Sequence, residues 1–281
     1  MKSLIDMHIH TVYSDGEYEP SEVIKKAIDK GIKTLAITDH DTLDGIKSVN
    51  KDDYNINIIN GIELSAKVNK GRMHILGYDL DINNKQLNDK MIELRNNSYY
   101  SIIALLTQLK LDYGIIFNYN DIQDIFNSLG NVGRPHLALL LIKYGYVKTV
   151  DEAFRKYLNS AYKKTRTSNK GVNYEECICL IKEANGISIL AHPNQLHMDD
   201  MELEKTLKKL IDCGLDGIEV YHSGHSKVEI EKYLLFAHKY HLLISGGSDY
   251  HGENVKPDIE LGCNKIKELS LVNYINKRNT L

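Results

Sequence analysis

A strong net charge, long apolar runs and paired cysteines are all missing from this chain of 281 residues. Lysine and arginine number 35 against 38 aspartates and glutamates, a formal charge of -3. No global field therefore draws the chain to long DNA, although a local basic site can still hold phosphate, so a small anionic substrate fits better. No stretch approaches the roughly 18 to 20 apolar residues of a membrane span, and the opening MKSLIDMHIHT lacks the apolar core of a signal peptide. The expectation is a cytoplasmic protein with no membrane partner. Cys177, Cys179, Cys213 and Cys263 show no CxxC spacing, which excludes a disulfide framework or zinc knuckle and leaves ordinary thiols. Internal repeats and low-complexity segments are absent as well.

What is present is enough for one large core, since 42% of residues are hydrophobic. Short apolar runs, SLIDMHI, TLAITDH, NIINGIEL, RMHILGY, ISILAHP, GIEVYH and LLISGGSD, read as buried strands. Between several of them the period changes to 3.6 residues, as in SEVIKKAIDKG (capped by Ser21 after a proline), LEKTLKKLIDCG and KVEIEKYLLFAHKY. Alternating strands and helices predict an α/β architecture with a mostly parallel sheet. From about Asn84 to Lys170 only helical patterns occur, so residues 84–170 are expected to form a helical insertion between catalytic segments 1–83 and 171–281. Its end, AYKKTRTSNKGVN, is expected to be an exposed basic loop.

The chemistry-bearing residues fall at the strand ends: His8, His10, Asp15, Asp39, His40, Asp41, Glu63, His74, His192, Asp249 and His251. In a β/α barrel such ends converge on one face. His8 and His10, two apart on a strand, project to one side and can grip one ion. Alone that pair is weak evidence, and Asp15 in SDG by itself reads more readily as a turn residue. The combination is different. TDHD ends a strand in three consecutive ionisable groups, while Glu63 and His74 are embedded among apolar neighbours. Burying them is costly unless ions compensate, and a metal cluster compensates all of them at once. A nitrogen and oxygen set without thiolate suits Zn, Mn or Fe, and a carboxylate such as Glu63 can bridge two ions. Gly246 and Gly247 permit close backbone approach beside Asp249. In GRPHLA, Pro135 at a helix start leaves backbone amides beside Arg134, whose guanidinium can hold phosphate bidentately.

The motifs DMHIHTVYSDGEYEP, LAITDHDTLDGI, GIELS, HILGY, LAHP and GSDYHG together resemble the PHP (polymerase and histidinol phosphatase) family, in order and from one end of the chain to the other. The resemblance implies a distorted seven-stranded β/α barrel of PHP type, interrupted by the helical insertion and holding two or three divalent ions. It implies one ion on His8, His10, Glu63 and Asp249, a second on Glu63, His74 and His192, and a third on Asp15, His40 and His251. SDG, TDHDT and GRPH together are similar to a branch of 3',5'-nucleotide bisphosphate phosphatases and 5'-to-3' exoribonucleases, in which the Arg and His of GRPH, here Arg134 and His136, address the substrate phosphate. AYKKTRT departs from the Ala-Tyr-Val-Pro usual at that point.

The expected chemistry is hydrolysis by metal-bound hydroxide, because a divalent ion lowers the pKa of water from about 16 towards 7. His222, at another strand end, is a candidate proton donor, with a loop or capping role the alternative. Asp41 is a candidate for orienting a ligand. The expected substrate is a 3',5'-bisphosphonucleoside or the 5' end of a short RNA. Rival readings are a phosphatase of another monoester such as histidinol phosphate, a metal-binding regulatory module without turnover, and an amide hydrolase with the same constellation.

Overall fold

The computed structural model describes residues 4–68, 70–127, 131–165 and 171–280. Seven strands form one sheet in chain order: β1 (Leu4–Asp6), β2 (Ile32–Ile37), β3 (Asn57–Ala66), β4 (Met73–Tyr78), β5 (Ile187–Leu190), β6 (Gly217–His222) and β7 (Leu243–Gly247). Each overlaps one of the seven apolar runs, β2 starting two residues before its run and β3 ending two residues after. All neighbours pair in parallel except β4, which is antiparallel to both β3 and β5. The sheet curls until its two ends nearly meet. The chain beyond β1 hydrogen-bonds to the chain beyond β7, with Asp249 N to His8 O and His10 N to Tyr250 O both at 2.9 Å. The result is the expected distorted α/β barrel.

Residues of alternate parity line the inside. Ala36, Ile59, Leu76, Tyr78, Ile187 and Ile189 share one buried cluster with Leu271, Val272 and Ile275 of α11 (Ser270–Arg278). Their neighbours Leu35, Ile37, Ile58, Ile62, Ile75 and Leu190 face outward into a second cluster, where helices cover the sheet: α1 (Pro20–Asp29), α8 (Tyr174–Glu183), α9 (Asp200–Asp212) and α10 (Lys227–Lys239). A short α2 (Asp44–Lys47) follows β2. The cap of α1 differs from expectation. Glu19 occupies it, its amide donating to the Glu22 carboxylate at 3.1 Å, because Pro20 takes the first helical position and draws Ser21 into the first turn.

Between β4 and α8 run α3 (Lys85–Tyr113), α4 (Tyr119–Phe126), α5 (Arg134–Lys143), α6 (Val150–Ala153), a π-helical turn over Phe154–Leu158, and α7 (Asn159–Thr165). At 29 residues α3 is roughly 43 Å long. Its first half packs Leu87, Met91 and Leu94 on the barrel's outer cluster. Its second half packs Ile102, Leu105 and Leu109 on a separate core with Leu137, Leu141 and Leu158. Ala161–Thr165 is helical in α7, with Ala161 buried in that core, rather than part of an exposed loop. Arg166–Lys170, the rest of the expected basic loop, lies outside the described residues. No helix among the described residues is long and apolar enough to cross a membrane, and the four cysteines are free.

The barrel seam depends on one glycine. A Cβ on Gly247 would lie 2.3 Å from His8 N and 2.5 Å from its Cβ, so any side chain must push the two strands apart. Gly247→Ala is expected to cost about 1–3 kcal/mol, read as a lowered urea midpoint, and to reduce bound metal. Wild-type stability and metal content in this variant would refute the close packing.

Candidate metal centre

The rim of the barrel collects the charged residues. His8, His10, His40, His192, Asp249 and His251 follow the ends of β1, β2, β5 and β7, where parallel strands point the same way. His74 lies near the start of β4 and reaches the same rim only because β4 runs in the opposite sense, pairing with Ser65 at the far end of β3. On β3, Glu63 shares the inward parity of Ile59; on β4, His74 shares that of Leu76 and Tyr78. The apolar interior thus ends in a polar cap.

Glu63 is the centre of that cap. Its Oε2 lies 3.2 Å from His8 Nε2, 3.2 Å from His10 Nε2 and 3.1 Å from His40 Nδ1, and its Oε1 lies 2.9 Å from both His74 Nδ1 and His192 Nε2. Asp249 Oδ1 approaches His8 Nε2, His10 Nε2 and His251 Nδ1 at 3.6, 3.3 and 3.5 Å. Asp15, in the turn expected of it, sets Oδ1 3.2 Å from His251 Nε2 and Oδ2 4.0 Å from His40 Nε2. All nine expected ligands therefore meet. An ion about 2.0–2.2 Å from each ligand sets neighbouring donors roughly 3 to 3.5 Å apart, matching most of these spacings. His8 Nε2, His10 Nε2, His40 Nδ1, Glu63 Oε2 and Asp15 Oδ1 are buried without a hydrogen-bond partner. Such convergent orphans fit divalent ions, and the cluster is suited to hold them.

Burial opposes every charge here; neighbours overcome it at some groups and not at others. His40, His8 and His74 hold Glu63 well below the usual carboxylate range; Lys256, His251 and His8 do so for Asp249. Against burial, Glu219, Glu63 and Asp249 keep His8 well above an ordinary imidazole, and Asp249 and Glu63 raise His10 to about 9. Burial lowers His40 to about 3 and His192 to about 4, so both rings keep a free lone pair at neutral pH.

A further set of carboxylates holds the ligands in place. Glu219 Oε1 lies 2.9 Å from His8 Nδ1 while its Oε2 accepts the His192 amide at 2.8 Å, and His8 helps draw it down to about 2. The motif reading passes over Glu219, although an acid inside GIEVYH carries the same signature as Glu63 in GIELS. It also passes over Lys256, whose Nζ is 2.6 Å from Asp249. Asp39 is not among the converging donors: it accepts from Thr11 N, Thr11 Oγ1 and Ser14 Oγ, each at 2.7 Å, pinning the loop that carries Asp15. Asp41 accepts the Ser65 amide at 2.8 Å, fixing the end of β3. His222 reaches Asp249 Oδ2 at 3.3 Å. It shares the interior with Glu219 despite odd spacing because β6 bulges between Glu219 and Tyr221. Asp41, His192 and Asp249 take φ of +51°, +22° and +59°, a backbone cost common where function dictates geometry.

A cleft of about 220 Å³ beside the cluster is lined by Asp15, His40 and His74 on one side and by Arg134 and Phe154 on the other. The Arg134 guanidinium stacks on Tyr162 and Phe154, 4.3 and 5.3 Å from the ring centres. His136 Nδ1 accepts the Gly133 amide at 3.1 Å, leaving Nε2 for another partner, and burial lowers its pKa.

The PHP domain model matches residues 6–232, and the chain belongs to that family. Its relatives include the 3',5'-nucleoside bisphosphate phosphatase of Chromobacterium violaceum, 29% identical over 88% of this chain and 87% of that one. The 5'-3' exoribonuclease Rnm of Escherichia coli is 28% identical over 92% of this chain and 88% of its own. A Bifidobacterium adolescentis structure, provisionally named a metal-dependent phosphoesterase, superposes with a TM-score of 0.86 at 28% identity over 99% of this chain and 97% of that one. A C. violaceum amidohydrolase with bound sulfate gives 0.84 at 27% identity, over 98% and 97%. With its cluster and its family, the protein is a metal-dependent phosphoesterase.

Ligands must shed protons to bind metal. Adding divalent metal to the metal-depleted protein at pH 7.5 is therefore expected to release roughly two protons, from His8 and His10. The sign follows from their raised pKa: release persists up to about pH 9 for His10 and then declines. Calorimetry in buffers of different ionisation enthalpy measures it, and zero release at pH 7.5 contradicts the protonated pair.

Proposed function

We propose that the enzyme hydrolyses the phosphate on the 3' side of a 5'-phosphorylated nucleotide, acting on 3',5'-bisphosphonucleosides or short 5'-phosphorylated RNA and releasing 5'-mononucleotides. One observation carries this reading: Arg134 and the metal-cluster residues line the same cleft, so a cation is set across from the reacting centre. The names of the C. violaceum and E. coli relatives support it.

In this reading His8, His10, Glu63 and Asp249 hold one Zn, Mn or Fe ion, Glu63, His74 and His192 a second, and Asp15, His40 and His251 a third. Ions held there would supply a hydroxide nucleophile at neutral pH and offset the charge of the phosphate oxygens. Arg134, stiffened by its two aromatic neighbours, holds the 5'-phosphate bidentately with His136 Nε2 beside it. His222 Nδ1 accepts the Gly224 amide at 2.9 Å, which puts the ring proton on Nε2, and Nε2 would turn from Asp249, 3.3 Å away, to protonate the leaving oxygen. Asp41 positions β3 and hence Glu63. The helical segment 84–170 serves as a recognition subdomain inserted into a barrel of 1–83 and 171–281.

Arg134→Gln is expected to lower kcat/KM about tenfold or more on 5'-phosphorylated substrates, the scale of one charged hydrogen-bonded contact. Equal loss on substrates lacking that phosphate sinks the assignment. Asp15→Ala and His40→Ala should lower metal content and activity together; full activity in both removes the third site. A panel of 3',5'-bisphosphoadenosine, 5'-phosphorylated oligoribonucleotides, histidinol phosphate and a phosphoribosyl cyclic phosphate decides the substrate, the last because an Eggerthella lenta relative, 28% identical over 88% of this chain and 94% of its own, is named a phosphoribosyl cyclic phosphate diesterase. Metal binding without hydrolysis of any of them would favour a regulatory module.

A further inference from the structure

The cleft beside the metal cluster opens into a larger space of about 610 Å³. The two share Asp41, Ser65, Arg72, His74, Ser98 and Arg134, and so form one continuous channel. Enclosed ligand sites span roughly 300–1,000 Å³. The outer space falls in that range by itself, and the inner one is smaller, so room remains after a phosphate and sugar fill the inner part.

The charge of the outer wall is opposite to that of the whole molecule. The chain carries -3, yet the wall presents Lys67, Arg72 and Arg134 against the single carboxylate of Asp41. Lys67 and Arg72 stand at the end of β3 and just before β4, and no acidic side chain among the described residues pairs with either. Facing them, α3 contributes Tyr100, 61% exposed, with Asn97 and Ser101 on the same helical face. A large exposed aromatic among polar groups, opposite unpaired cations, is the composition of a single-strand nucleic-acid groove, in which rings stack on bases and cations follow the backbone.

We propose that this outer space is a subsite for the second nucleotide of an oligonucleotide, with Arg72 and Lys67 on the phosphate that follows it and Tyr100 stacked on its base. The proposal rests on the nucleotide reading above and deepens it, making the preferred substrate a short single strand rather than a bisphosphonucleoside. In the step it serves, water adds across the bond between phosphorus and O3' of the first nucleotide. The oxygen stays on phosphorus and O3' leaves with a proton. The shortened strand then carries a new 5'-phosphate, which Arg134 can take in the next round.

The test uses metal-loaded protein and two probes. One is a 5'-phosphorylated pentaribonucleotide with hydrolysis-resistant phosphorothioate linkages and a 3' fluorophore, bound over a salt series. The other is 3',5'-bisphosphoadenosine, followed by phosphate release. The Lys67→Gln/Arg72→Gln double variant should bind the pentanucleotide at least tenfold more weakly. It should also flatten the slope of log K against log salt by about 0.7, the share of the one phosphate the two side chains hold together. Tyr100→Ala should weaken binding roughly tenfold with the slope unchanged, and Tyr100→Phe should restore it. In each weakened variant the loss on the pentanucleotide should exceed the loss on the bisphosphate by tenfold. Equal losses on both probes, unchanged pentanucleotide binding, or no binding by the wild type overturns the subsite. If the wild type binds the pentanucleotide with these dependences but hydrolyses neither the bisphosphate nor an unmodified pentanucleotide, the reaction assigned above fails while the subsite stands.

Discussion

Everything at the rim is arranged around the buried carboxylate of Glu63. Five imidazoles, from the ends of β1, β2 and β5 and from β4, point nitrogen atoms at its two oxygens within 3.2 Å. A charge without access to water is tolerable only with partners this close. Other features follow from that demand. The reversal of β4 brings His74 to Glu63, the β1 to β7 seam brings His8 and His10, and the bulge in β6 lets Glu219 and His222 serve one interior.

The cluster also divides its protons unevenly. His8 and His10 face several carboxylates and hold theirs, whereas His40 and His192 are kept neutral by burial. With Asp15, Glu63 and Asp249 all held in the charged form, the site is electrostatically incomplete without added positive charge. Glu219 and Asp39 add more buried acid, each spent on hydrogen bonds that fix a ligand or its loop. Rigid placement of this kind is what multinuclear catalysis needs.

Much of this was legible in the residues. Strands were visible as apolar runs because a barrel strand is covered on both faces, and the ligands stood out as charges set within those runs. Other features were not legible, each for a physical reason. Strand direction leaves no mark on periodicity, so His74 looked like one more strand-end residue although a parallel β4 would have carried it to the opposite face. A bulge depends on the partner strand, which hid the joint role of Glu219 and His222. The basic, apolar-poor stretch from Ala161 read as loop, but Ala161 itself is buried in the helical core, and tertiary packing outweighed composition there. Ser21 lost the capping position to Glu19 because proline claimed the first turn. Arg72 and Lys67 carry no motif, and only the folded β3–β4 hairpin sets them across from α3.

The seam at Gly247 orders events in time as well as in space. Ribosomes deliver His8 and His10 long before Asp249 and His251, and the backbone bonds that lock the first pair are to Asp249 and Tyr250. Until β7 arrives, the emerging polypeptide exposes histidines and acids in an open, unclosed sheet. The donors that come from Asp249 and His251 join His8 and His10 only once β7 has closed the sheet.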